Sequence, residues 1–156
     1  MEAQKECDLG RRAQERSARL AHFKKSQALA ERAVALDDQL ANAHFALFCS
    51  LGEQMRIDGE SFSSVFGFRR MMKELDRTLE LDADHLDALS SKGTFLIRLP
   101  ALLGGDTRKG EEMLRLVIQR APKAVNARLT LAKRYCARGD HEEALRLATE
   151  ALEIAR

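Results

Sequence analysis

Part of this chain repeats at an interval of 34 residues, and no other feature limits its fold so strongly. Gly105-Asp106 with Gly110, Leu114 and Val117 returns, 34 positions on, as Gly139-Asp140 with Ala144, Ala148 and Ala151. Farther back, Leu75, Thr78 and Leu79 hold the places of Leu114, Val117 and Ile118 at a displacement of 39. Ala30, Ala33 and Val34 stand 45 before those. Asn42-Ala43, Asp87-Ala88 and Asn126-Ala127 follow Ala33, Thr78 and Val117 at one common offset. Four units are therefore expected, the middle two lengthened by insertions. A period in this range marks stacked supersecondary units, none of which can bury its apolar face alone.

Each unit reads as two amphipathic helices. In the last, Leu129, Ala132 and Cys136 mark one helix face, with Leu131 and Tyr135 beside it. Ala144, Ala148, Ala151 and Leu152 mark the next, at spacings of three and four. Between them Gly139 suits the left-handed position past a helix end, and Asp140 is placed to cap the helix that follows, with Glu143 completing a capping-box-like pattern. Gly104-Gly105-Asp106 makes the same stop and start one unit earlier. Helices are predicted at about 3–20, 22–37, 40–57, 61–82, 85–99, 107–120, 124–138 and 141–155. Ala132, Ala144 and Ala151 allow close helix approach, and Leu131, Tyr135 and Leu152 fill the space beside it. The expected fold is all-α. It is a right-handed α-solenoid of about four helix pairs in one domain over 1–156, with units near 3–37, 40–82, 85–120 and 124–155.

Composition narrows the function. With 9 Gly and 2 Pro in 156 residues, sharp turns are few, which argues against a β-sandwich. Lys and Arg number 26 against 24 Asp and Glu, a net charge of +2 that gives no footprint for a nucleic-acid partner. Cys7, Cys49 and Cys136 lie far apart and form no CxxC pair, so a disulfide framework is not expected. Met1-Glu2-Ala3-Gln4-Lys5-Glu6 is charged where a secretory signal needs an apolar run, and no stretch approaches the roughly 20 apolar residues of a membrane span. The expected location is cytoplasmic as the sequence stands, or periplasmic if a leader has been removed.

From Val125 to Arg156 the chain resembles the tetratricopeptide repeat (TPR) family, with Leu131, Ala132, Tyr135, Gly139, Asp140, Ala144 and Ala151 at its signature places. Arg128 stands where the family prefers Trp, and Ala148 where it prefers a later aromatic. Pro122 closes the third unit as the family's terminal proline does, whereas Asp38 and Ala83 stand there earlier. The likeness is strong over 105–156, moderate over 28–100 and poor before that. Leu99-Pro100-Ala101-Leu102-Leu103-Gly104-Gly105-Asp106, followed by Lys109-Gly110, is similar to bacterial TPR proteins related to the T-component of TRAP-type transporter systems, and to the microtubule-dynamics regulator family. The resemblance implies a scaffold or ligand adaptor, several relatives being oligomers.

Catalytic and cofactor readings find little support. Gly105 to Gly110 has two glycines at phosphate-loop spacing, but Glu111-Glu112 occupy the places of the required Lys and Ser or Thr, so the loop reads as a helix–helix turn. His22, His44, His85 and His141 share no metal-ligand spacing, and no cysteine has a matching His and acid. No enzyme, metal site or cofactor is expected. Phe62, Val65, Phe66, Met72, Leu75 and Leu79, with Phe68 and Met71 alongside, read first as a packed helix and second as a partner patch.

The resemblance places a groove along the first helix of each pair: Asp8 and Arg11, then Asn42, Phe45 and Cys49, then Asp87, Ser90 and Thr94, then Asn126, Leu129 and Lys133. Polar residues with an apolar streak suit a peptide or helix. Leu145, Leu147, Leu152 and Ile154 form an arc on the last helix wider than one neighbour covers, a candidate for self-association in a homo-oligomer. The favoured expectation is a non-enzymatic scaffold or adaptor holding a protein, a peptide or a sister subunit. The alternative is a small-ligand adaptor with an apolar pocket between Phe45, Phe62, Phe66 and Phe95.

Overall fold

The computed structural model describes residues 1–58 and 65–156, and every regular element in them is helical. In chain order they are α1 (Glu2–Arg12), α2 (Arg16–Leu36), α3 (Ala41–Asp58), α4 (Val65–Leu81), α5 (Leu86–Arg98), α6 (Thr107–Arg120), α7 (Val125–Ala137) and α8 (His141–Ala155). A short 3-10 turn, Ala101–Leu103, lies between α5 and α6. The helices form two compact units, Met1–Ala83 and Asp84–Arg156.

In the first unit each helix packs on the next, and α1 also touches α3. Helix α3 is surrounded: residues 43 to 50 are all buried, so its sequence lacks the one-sided apolar stripe of a surface helix. Two clusters fill the space around it. Ala3, Ala30, Ala46 and Leu47 pack with Leu29 and Leu51, and Cys7, Phe23 and Cys49 pack with Ile57. Gly10 admits the Phe23 ring, since a β-carbon there would stand 2.6 Å from it. Ser26 donates to the Ala3 carbonyl at 2.8 Å inside the same core.

Two expectations for this unit are corrected. The predicted helix at 3–20 is broken: Ala13 and Glu15 are extended, with ψ of 139° and 132°, and α2 begins at Arg16. No Gly or Pro marks that break, so only packing of α2 back across α1 locates it. The second correction is a disulfide between Cys7 and Cys49, where none was expected. Its cysteines stand 42 positions apart with Cα atoms separated by 6.7 Å, within the span a disulfide bridges.

Charged groups join the remaining seams. The imidazole of His44, on α3, has Nδ1 2.6 Å from Glu74 of α4 and Nε2 3.2 Å from Asp38 in the turn before α3. The Glu6 carboxylate, 7% exposed, accepts from Lys25 at 2.7 Å and lies 2.8 Å from His22 Nδ1. The Lys25 hydrogen bond first, and that of His22 second, hold Glu6 below its ordinary value of 4.5.

The second unit follows the 34-residue repeat. Helices α5 and α6 cross at a pair of glycines: a β-carbon on Gly110 would lie 2.7 Å from the Gly93 carbonyl oxygen, and one on Gly93 would meet Leu114 at 2.9 Å. Gly104 and Gly139, with φ of 87° and 89°, take the left-handed conformation at the two turns. Asp106 caps α6 by accepting from the Lys109 amide at 3.0 Å. Asp140 was expected to do the same for α8 and does not: its side chain caps nothing and instead receives Arg138 at 2.8 Å.

Tyr135 and Glu111 join α6 to α7. The guanidinium of Arg138 sits 4.2 Å from the Tyr135 ring centroid, and Arg115 Nε donates to the phenol oxygen at 3.0 Å. Buried Glu111 receives Arg134 and Arg138, both at 3.3 Å. Arg128, at the Trp-like position, is 7% exposed and donates to Glu150 of α8 at 3.1 Å and to the Ala124 carbonyl at 3.2 Å. An ion pair thus binds α7 to α8.

Two stability predictions follow from these contacts. Gly110→Ala drives a methyl into backbone and should cost about 1–3 kcal/mol in urea unfolding, whereas Gly104→Ala should act only through its left-handed φ. Glu6 has a lowered pKa, so its contribution is complete above its ordinary value of 4.5 and drains away as pH falls through its lower folded value. Glu6→Gln should therefore be less stable than the parent at pH 7 and converge with it once pH falls below the folded value of Glu6, measured by circular dichroism.

Candidate binding surface

The expected groove residues divide sharply between the units. In the first, Arg11 is exposed but committed to Glu53 at 3.1 Å, with Asp8 at 3.9 Å. Asn42 is exposed at the start of α3. Phe45 is buried against Phe48, with ring centroids 5.6 Å apart, and Cys49 is buried and bonded to Cys7. Cys49 is covered by α1, which the disulfide fastens to α3, and Phe45 is buried as well. This first-helix face is closed.

In the second unit the corresponding face is open. Asn126, Leu129 and Lys133 are exposed along one side of α7 at spacings of three and four, Leu129 at 39%. Cys136, a free and exposed thiol, continues the same row. Beside α7 lies α5, with Asp87 exposed and Ser90 and Thr94 half-buried. The Thr94 hydroxyl donates to the Ser90 carbonyl at 2.9 Å, and Thr130 donates to Asn126 at 3.0 Å, so these hydroxyls serve their own helices. What remains for a ligand is an amide, an ammonium and an apolar side chain on a rigid helix.

The self-association candidates also separate. Leu145 and Leu152 are exposed, Ile154 is half-buried, and Leu147 turns into the seam with α7, where it is buried. Of the aromatic residues given a pocket, Phe45 is buried, Phe66 is 83% exposed, and Phe62 lies outside the described residues. In the apolar stripe of α4, Met71 and Leu75 are core while Val65 and Phe66 face solvent.

Sequence spacing missed two groupings. Cys7 with Cys49, and His44 with Glu74 and Asp38, come together across helices with no motif to announce them. The His44 imidazole is buried between Glu74 and the exposed Asp38, and so ties α3 to α4 and to the preceding turn. Among the described residues, no group of three or more His, Cys, Asp or Glu could hold a metal ion, and no helix is long and apolar enough to cross a membrane.

No family model matches the sequence, and no curated protein matches it. Among solved structures, the crystal structure of MamA, a TPR-containing protein, is similar at a TM-score of 0.54 and 20% identity, covering 98% of this chain and 78% of MamA. The fold is a TPR-like helical solenoid. None of these matches bears on the narrower likeness to transporter T-components.

The disulfide yields a prediction. Closing a loop of 42 positions should contribute about 4 kcal/mol by chain-entropy reckoning. Cys7→Ser should lower unfolding stability by about 2–4 kcal/mol, and reductant should then have no further effect. Thiol titration of the denatured, unreduced chain should find one free cysteine, Cys136, of the three.

Proposed function

We propose that the chain is a non-enzymatic interaction module that holds a peptide or protein segment on the face built by α5 and α7. The observation that carries this reading is the exposed row Asn126, Leu129 and Lys133, standing beside Ser90 and Thr94 on a TPR-like pair of helices. The amide of Asn126 suits a partner's backbone, and Leu129 suits an apolar side chain. Lys133 suits a carboxylate. Because the groups sit on helices fixed by the Gly93–Gly110 crossing and the Arg128–Glu150 pair, the face is pre-formed and binding costs little ordering.

Peptide display against the full chain tests this reading. Selected sequences should carry an acidic residue near an apolar one. By calorimetry, Leu129→Ala and Lys133→Ala should each weaken binding by about five- to thirtyfold, and Leu103→Ala, on the exposed turn after α5, should leave it unchanged. Selection of no binder, or of binders indifferent to both α7 substitutions, removes the proposal.

A further inference from the structure

Charge is distributed unevenly along the α5–α7 face. Asp87, Ser91, Thr94 and Arg98 recur on α5 at spacings of four, three and four, so they stand in one row. By the 39-residue offset between the two helices, Asp87 is the counterpart of Asn126, and Thr94 that of Lys133. Asp87, Arg98 and Lys133 are exposed, and among the described residues none of them is held by an opposite charge. The other charged side chains of these helices are placed elsewhere. Arg128 is buried with Glu150, and Arg134 is joined to Glu111. Lys92 lies about 140° round α5 from Asp87. In the turn before α5, Asp84 pairs with Arg120 of α6, so that position turns toward α6, and Lys123 holds the same place before α7. The face therefore has a carboxylate beside an amide at one end and two cations toward the other, with Leu129 between. Asp87 and Arg98, in the first and last turns of α5, also suit its dipole, but Lys133 precedes the last turn of α7 and serves no helix end.

Main-chain chemistry bears on the form of the partner. Ser91, Thr94 and Thr130 donate their hydroxyls to carbonyls of their own helices. An extended segment crossing the roughly 16 Å from Asp87 to Arg98 turns several amides and carbonyls toward the face, where Asn126 and Ser90 are left to meet them. A helix satisfies its own main chain everywhere except at its ends. We propose, on the reading of this face as a binding surface, that the segment held is an amphipathic helix of about three turns. One side of it carries a basic residue against Asp87, a large apolar residue on Leu129 and an acidic residue against Lys133 and Arg98. The end that reaches Asp87 lies beside Asn126, whose amide both donates and accepts and so meets the open main chain of a helix end in either direction.

Two displayed peptide libraries, screened against the full chain, test this. One is built on an alanine-rich helical background, and the other carries a central proline, which interrupts a helix. The helical library should yield binders with a base and an acid on one side, about seven to eleven residues apart, and a large apolar residue between them. By calorimetry, Asp87→Asn and Arg98→Ala should each weaken these binders about two- to fivefold, with the circular dichroism of the chain unchanged. Asp87→Lys should turn the selected base into an acid. Binders that depend on Leu129 and Lys133 but come from the proline library, or that ignore Asp87 and Arg98, overturn the helix and leave the binding surface standing. No binder from either library removes both.

Discussion

Close approach between helix backbones is the constraint on which the second unit depends. At the α5–α6 crossing the two glycines leave no room for a β-carbon on either side, so helix separation is set by main chain rather than by side-chain volume. Leu114 then covers Gly93, and the contacts beyond follow: Glu111 and Arg115 on α6 meet Tyr135 and Arg134 on α7 and Arg138 just past its end, and Arg128 meets Glu150 on α8. The open face of α7 is therefore presented by a chain of contacts that begins at a pair of residues without side chains.

The first unit achieves rigidity by other means. Its α3 is enclosed, and its seams carry a covalent bond, a buried imidazole between carboxylates and a serine inside the core. The same enclosure that stabilises it removes Phe45 and Cys49 from any ligand. The two units thus differ in exposure: Phe45 and Cys49 are buried on α3 of the first, while Asn126, Leu129 and Lys133 are exposed on α7 of the second.

Much of this was legible in the sequence because the repeat fixes both spacing and local chemistry. Gly139 takes its left-handed turn, Asp106 caps α6, and α6 and α8 span the residues that their periodicity implied. The failures share a cause. The break between α1 and α2 has no Gly or Pro, the disulfide joins residues in separate helices, and Asp140 is diverted from its cap by Arg138. In the first two cases a tertiary contact overrides what neighbours in the chain favour, and a single sequence carries no direct record of such contacts; in the third a local pair two residues apart competes with the cap. The candidate groove was half legible for the same reason. Helical spacing places Asn126, Leu129 and Lys133 on one side of α7, but only packing shows that Phe45 and Cys49 on the matching side of α3 are buried.

The burial of the Cys7–Cys49 bond governs how it meets its surroundings. Both sulfurs lie beneath Phe23 and Ile57, so an attacking thiolate cannot line up with either while α1 is seated. Cleavage must wait for that helix to lift away. The rate at which a reducing environment acts on this bond is then bounded by how often eleven amino-terminal residues detach, and anything that steadies α1 also lengthens the life of the crosslink.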